Sequence, residues 1–553
     1  MRTQTELRPF GFTSLKLAAM APAALAISLV AAPRTTLSQT PPLTTTLESD
    51  FAQAFRFNLS TEPSHADPAR INSSESNYFL MNIHRGLYTL SKTGEPTPEI
   101  AESCRPVSSK KYRCAIKKSA KWSDGADITA EDFVLSWRRL VAKDAKGIGV
   151  QILSNVRNAV AAHRGQAEVA SLAIQALDSH RLEIELNQAD SDFLAKLAHP
   201  ALSVTRMGHE LHREAFKTAT AAKKPIPTAG PYVVTDWSKP DRIRLSPNPH
   251  YSGIRKSAGS IPRPTVEILI VDDDETALNL YREGTLSLLR RLPTHYLKAW
   301  QVSPELHQIP VIRFDYLGFG PELKDQRDMR KALAKSLRYE ELKRLYSALG
   351  IPGCPGILPQ WMSSVPCHEF QLDEAKKHFA QVPAEFRNRR MQLAFSKLGG
   401  DDIQKGMEWV QAQWKNHLSF PVELKPTEQG VYVNQLRTSP PAIFRKGVGL
   451  DRASCLAALE IFTKSDPENY IRFENTKYEE IVQQLQRMAN PLSSAGRKLC
   501  MEGVKILIDE AAIIPLGQIH FSILAKPNFE GWVLTPLNQL DLGLLSRRQS
   551  GSK

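Results

Sequence analysis

From about residue 310 onward the chain alternates short strand-like and helix-like segments, and this alternation limits the possible folds more than any other feature. Hydrophobic spacing predicts helix 325–349 ending before Gly350, helix 372–381, strand 391–396, helix 402–417, strand 420–425, helix 428–437 and strand 441–446. Helices 475–488 and 496–511 follow, then an apolar strand near 512–524. A sheet fed by helices in this order buries its faces beneath them, which is an α/β lobe. At 553 residues the chain is too long for one hydrophobic core, so a second lobe is required. Short strands dominate between 180 and 300, at Leu182–Leu186, Tyr232–Asp236, Arg242–Leu245 and Val266–Val271, and residues 51–58 and 77–90 are also rich in β-prone types. Ahead of Phe133, Val134, Trp137 and Leu140, Thr129 is placed to cap a helix, with Glu131 and Asp132 at its positive end.

The N-terminal segment is of another kind. Arg2, Arg8 and Lys16 precede the run Leu17–Ala32, apolar except for Ser28, and a Pro/Thr/Ser-rich stretch follows to Thr46. This pattern predicts a secretory signal cleaved between Ala26 and Gln39, with an uncleaved membrane anchor as the alternative. Six cysteines agree with export to an oxidising compartment. Cys104 and Cys114 flank a polar, basic turn region and could face each other across a hairpin, while Cys354 and Cys367 bracket a Pro/Gly-containing loop. Cys455 and Cys500 are left either for a third bridge or as free buried thiols.

Several function classes are disfavoured. The formal charge of +13 comes from 71 basic residues dispersed among 58 acidic ones, with no aromatic-interleaved basic stripe, so no nucleic-acid partner is expected. No GxSxG, HExxH or phosphate-loop motif is present, and the Gly-x-Gly pairs at 147/149, 318/320 and 447/449 lack the third glycine of a dinucleotide fingerprint. They read as turns or close packing sites. Asp272–Glu275 opens a helical pattern and reads as capping rather than a metal site. His209 and His212 could share a helical face, yet two imidazoles without a third ligand read as surface histidines. No enzyme activity, cofactor or metal is expected.

The informative stretch is Asn77–Leu140, with Gly86-Leu87-Tyr88, Pro96–Glu102, Lys121-Trp122-Ser123-Asp124-Gly125, Thr129–Val134 and Ser136-Trp137. On these residues the chain resembles family 5 of the bacterial extracellular solute-binding proteins, the oligopeptide-, dipeptide- and nickel-binding class. Gly230-Pro231-Tyr232, Trp237, Asn248-Pro249-His250-Tyr251 and Arg327–Leu337 extend the resemblance, while Arg282–Ser287 departs from the family's R-x-G-E-I-D segment. The resemblance implies an α/β, two-lobe periplasmic-binding-protein fold of type II, a clamshell with an inserted subdomain. It places a signal peptide and the start of a linker at 1–39 and the rest of the linker at 40–46. The first lobe would comprise 47–85, 175–309 and the tail 515–553, with the inserted subdomain at 86–174 and the second lobe at 310–514. Crossover strands near 309–313 and 512–516 would form the hinge.

It further implies a periplasmic monomer that captures a peptide or peptide-like solute and delivers it to the membrane permease of an ABC importer. A ligand receptor, a chaperone-like peptide binder or a binder of a metal chelate on the same fold are the alternatives. In the family a R-x-G-W-x-x-D segment lines the cleft, its Asp pairing with the peptide's amino terminus. Here it reads Arg445-Lys446-Gly447-Val448-Gly449-Leu450-Asp451. Asp451 is then the amine anchor and Arg445 orients the segment around Gly447, while Val448 stands where the family has Trp. Gln429 matches a second cleft Trp, Gln518 falls in a strand that is tyrosine-rich elsewhere, and Asn72 matches an acidic cleft residue.

Overall fold

The structure is a computed structural model that describes residues 54–71, 74–145, 147–253, 263–345, 357–358, 368–397, 400–488, 491 and 493–548. The signal segment, Asn72, Cys354 and Cys367 lie outside the described residues.

Two long antiparallel strands, Leu306–Phe319 and Ile513–Ala525, carry the architecture. They sit in the middle of a ten-stranded sheet. On one side follow Ile443–Gly449, Met391–Ser396 and Val422–Thr427; on the other follow Leu288–Leu289, Phe55–Leu59, Val266–Ile270, Arg242–Pro247 and Tyr232–Lys239. Pairing of the two long strands breaks between Pro310 and Phe314, whose partners are His520 and Gln518. The first irregularity lies at 310–314, beside the crossover expected near 309–313. The second centres on Ile519 rather than on 512–516, because Ile513–Gln518 are already paired into the second lobe.

Each lobe has its own core. The first gathers Phe55, Phe57, Tyr78, Trp122, Trp137 and Trp237, and the C-terminal segment adds Phe529, Leu534, Leu540 and Leu545 to it. In the second lobe strand alternation divides the side chains between two faces. Ile312, Phe314, Tyr316 and Val448 pack with the helices Cys455–Glu460, Thr476–Arg487 and Ser494–Asp509. Leu317, Phe319, Ile443 and Leu516 pack on the other face with Arg327–Lys335, Leu372–Gln381 and Gly400–Leu418.

A separate four-stranded sheet, Ala101–Ser108, Lys111–Ile116, Arg181–Glu185 and Ile174–Asp178, is attached to the first lobe. Helix Ala130–Leu140 lies with it, and Thr129 and Asp132 form a reciprocal capping box, a feature worth about 1 kcal/mol. Trp137 is fully buried and donates its Nε1–H to the Leu202 carbonyl at 3.0 Å. In the Lys121–Gly125 turn Trp122 is also fully buried and Gly125 adopts φ +88°, the conformation that favours glycine there. Cys104 and Cys114 are directly opposed strand partners and form a disulfide. Cys455 and Cys500 form a second, which resolves their alternative in favour of a bridge joining two helices of the second lobe.

Two local expectations are corrected. The segment 325–349 is not one helix: Arg327–Lys335 and Tyr339–Leu345 are separated at Ser336, whose hydroxyl turns back to the Leu333 carbonyl. Residues 77–83 belong to the helix Ser74–Ile83, whose Tyr78, Phe79, Leu80 and Ile83 are all buried, and the strand is confined to Tyr88–Leu90. His209 and His212 are both exposed, as expected of surface histidines, and they share no helical face, because His212 is the N-cap of Arg213–Ala221 and its Nδ1 accepts from the Ala215 amide.

Candidate ligand cleft

Where the attached sheet and its flanking loops meet the second lobe there is a cavity of about 520 Å³. Residues 148–155 and 188–190 with Lys196 wall it on one side, and Val448–Arg452, Glu460 and 463–468 on the other. Strand Ile443–Gly449 delivers Val448 to this wall, and the chain then turns through Asp451 and Arg452 to Ser454, which caps the helix Cys455–Glu460.

Asp451 reaches the cavity with its side chain 42% exposed. Both carboxylate oxygens accept from Arg452 Nη1, at 2.8 and 3.1 Å. Partial burial disfavours its charge, but Arg452 outweighs that, with help from His199 and Lys196, and holds the carboxyl below its usual range. Arg452 is itself buried and also pairs with Asp192 and Glu460. Across the cavity Asp190 pairs with Lys196 at 2.7 Å. Burial and the like charges of Glu468, Glu460 and Asp451 push the Asp466 carboxyl up. The wall is therefore rich in carboxylates, which favours a ligand with at least one cationic or hydrogen-bond-donating group.

The structure brings Val448 and Asp451 together at the cavity and disposes the other expected site residues differently. Phe314 is the strand partner of both Val448 and Gln518, so these three stand in one row on one face of the sheet. Gln518 is 2% exposed, and neither its amide nitrogen nor its oxygen has a hydrogen-bond partner among the described residues. Arg445 and Gly447 point to the opposite face, where Arg445 pairs with the fully buried Asp315. A Cβ on Gly447 would lie 2.7 Å from Asp315 Oδ1 and 2.9 Å from Arg313 Nη2, so any other residue there would force these side chains to shift. Gln429 begins the helix Gln429–Thr438 and is exposed. Arg452, Asp192 and Glu460 were not anticipated. The one local signal is an arginine directly after Asp451, and its partner Asp192 lies 260 positions earlier.

Two lobes linked by paired crossover strands, with a charged cavity at their junction, define a solute-binding protein of the clamshell type. The chain belongs to the bacterial extracellular solute-binding proteins, family 5, whose middle-region model matches residues 95–470. It is 25% identical over 501 residues, covering 87% of this chain and 91% of the other, to the probable deoxycholate-binding periplasmic protein YgiS of Escherichia coli K12. It is 24% identical over 495 residues, covering 86% and 89%, to the oligopeptide-binding protein OppA of Bacillus subtilis 168. Among solved structures, the unliganded open form of the periplasmic murein tripeptide-binding protein MppA superimposes with a TM-score of 0.74 at 22% identity, covering 90% of this chain and 98% of that one. The fold is accordingly the two-lobe type II periplasmic-binding-protein fold. The relatives named here are binding proteins, two of them periplasmic.

Proposed function

We propose that this protein is the solute-capturing component of an ABC importer, holding a peptide or peptide-like molecule in the cavity between its lobes and presenting it to a membrane permease. The observation that carries this reading is the junctional cavity of about 520 Å³, large enough for a short peptide, into which Asp451 presents a charged carboxylate. Asp451 receives the ligand's ammonium through the lone pairs that Arg452 leaves free, and Val448 forms an apolar wall beside it. Arg445 and Gly447 act from behind, by holding the strand that delivers Val448. Gln518, in the same row as Val448, has an amide with both functions unclaimed by protein groups among the described residues, but it is buried and does not line the cavity. Export by the N-terminal segment to the periplasm, as a monomer, is part of this reading, with a first lobe of 47–85, 175–309 and 515–553 and a second lobe of 310–514; the insertion, expected at 86–174, is drawn on to 185 at the first lobe's expense because strands Ile174–Asp178 and Arg181–Glu185 belong to its four-stranded sheet.

A non-peptide solute is the second reading, favoured by the relative named for deoxycholate and by the aliphatic Val448. Mass spectrometry of material released from the natively purified protein separates the two. Peptides that rebind with saturable heat in calorimetry support the first. A steroid or a chelate in their place, with no heat from the peptides, overturns it.

A further inference from the structure

Arg452 stands at the seam between the lobes with 5% of its side chain exposed. Its Nε donates to Asp192 Oδ2 at 2.7 Å, its Nη1 holds both oxygens of Asp451, and its Nη2 pairs with Glu460. Asp192 comes from the first lobe and is 4% exposed, and the Ser454 hydroxyl donates to the same Asp192 oxygen. Beside this cluster the lobes are joined through backbone: the Ser191 amide donates to the Gln486 carbonyl at 3.2 Å, and the Ser191 hydroxyl to the Leu485 carbonyl at 3.0 Å. One guanidinium therefore serves carboxylates of both lobes. A planar fork with five donors can do this, whereas an ammonium has neither the span nor the fixed geometry. A carboxylate as enclosed as Asp192 is strongly disfavoured once its cation is removed.

We propose that Arg452 is a positioning residue that aims the Asp451 carboxylate into the cavity and at the same time ties that wall to Asp192 across the seam, so that ligand capture and lobe closure depend on one side chain. The proposal rests on the reading of the cavity as the capture site only for what Asp451 holds. The tie itself rests on the geometry of Arg452 and Asp192 alone.

Hydrogen–deuterium exchange on the dialysed, ligand-free full chain tests it, with the Ser191 amide as reporter because its acceptor lies in the other lobe. Arg452→Met is expected to speed exchange at Ser191 by about tenfold or more while the hairpin amides of 111–116 keep their protection. Asp192→Asn, which keeps the shape of the site, gives the same result should Arg452→Met fold poorly. Arg452→Lys recovers only part of the protection. Asp451→Asn, with no contact of its own to the first lobe's Asp192, speeds Ser191 exchange by a smaller factor, because Arg452 loses one of the groups that hold it. Unchanged Ser191 exchange in Asp451→Asn overturns the coupling, and equal exchange in the wild type and Arg452→Met overturns the tie altogether. Neither outcome bears on whether peptides co-purify, so failure here and failure of the importer reading are told apart.

Discussion

Replacing Arg445 by methionine should destabilise the second lobe severely, through a partner with no access to solvent. The Asp315 side chain is 0% exposed and that of Arg445 5%, and the pair lies between two adjacent strands behind the cleft wall. Asp315 Oδ1 has no hydrogen bond among the described residues, so Oδ2 and its ion pair with Arg445 carry the compensation for burying the charge. Arg445→Met keeps most of the aliphatic stem and leaves that carboxylate uncompensated, a change that typically costs about 3–5 kcal/mol. Asp315→Leu together with Arg445→Met removes both charges and should recover most of the loss, since apolar replacement of a whole buried pair is often close to neutral. Urea unfolding followed by circular dichroism across the four-member cycle gives the coupling directly. A single-variant loss below about 1 kcal/mol, or a double variant no more stable than Arg445→Met, would refute the reasoning, because the pair would then not be compensating a buried charge.

Asp451→Ala should weaken calorimetric affinity for the identified solute about thirtyfold or more, with little change in the unfolding midpoint because Asp192 and Glu460 still hold Arg452; unchanged affinity would place the anchor elsewhere. Non-reducing peptide mapping should return the Cys104–Cys114 and Cys455–Cys500 pairs. On chain-entropy grounds, loss of the second by a Cys500→Ser/Cys455→Ser exchange costs about 4 kcal/mol, against about 3 for the shorter loop. Stability should fall as pH drops from about 6.5 toward 4. Burial lowers His84, His199 and His368 to about 4, so between those values the unfolded chain takes up protons that the folded chain refuses, at up to about 1.4 kcal/mol per pH unit for each histidine. A urea midpoint that stays level between pH 7 and 4.5 would contradict this.

Much of the fold was legible in the chain because its causes lie within a few residues of one another. Helix Leu372–Gln381 and strand Met391–Ser396 coincide with their hydrophobic spacing, Thr129 and Asp132 cap a helix they adjoin, and Cys104 and Cys114 meet across the turn between them. The lobe count followed from length, and the family from short motifs whose turns and buried tryptophans are local as well. The cleft was legible only in part. Strand parity already separates Arg445 and Gly447 from Val448, but parity alone does not say which face meets the cavity, and that was settled by the helices packed over Val448 and the buried Asp315 beneath Arg445. The Arg452–Asp192 pair was beyond reach, since an ion pair between residues 260 positions apart leaves no periodicity, spacing or composition to read. Whether a charged side chain is a solvated surface group or the fastening between two lobes is decided by what the tertiary fold packs around it, because only exclusion from water makes its partners matter.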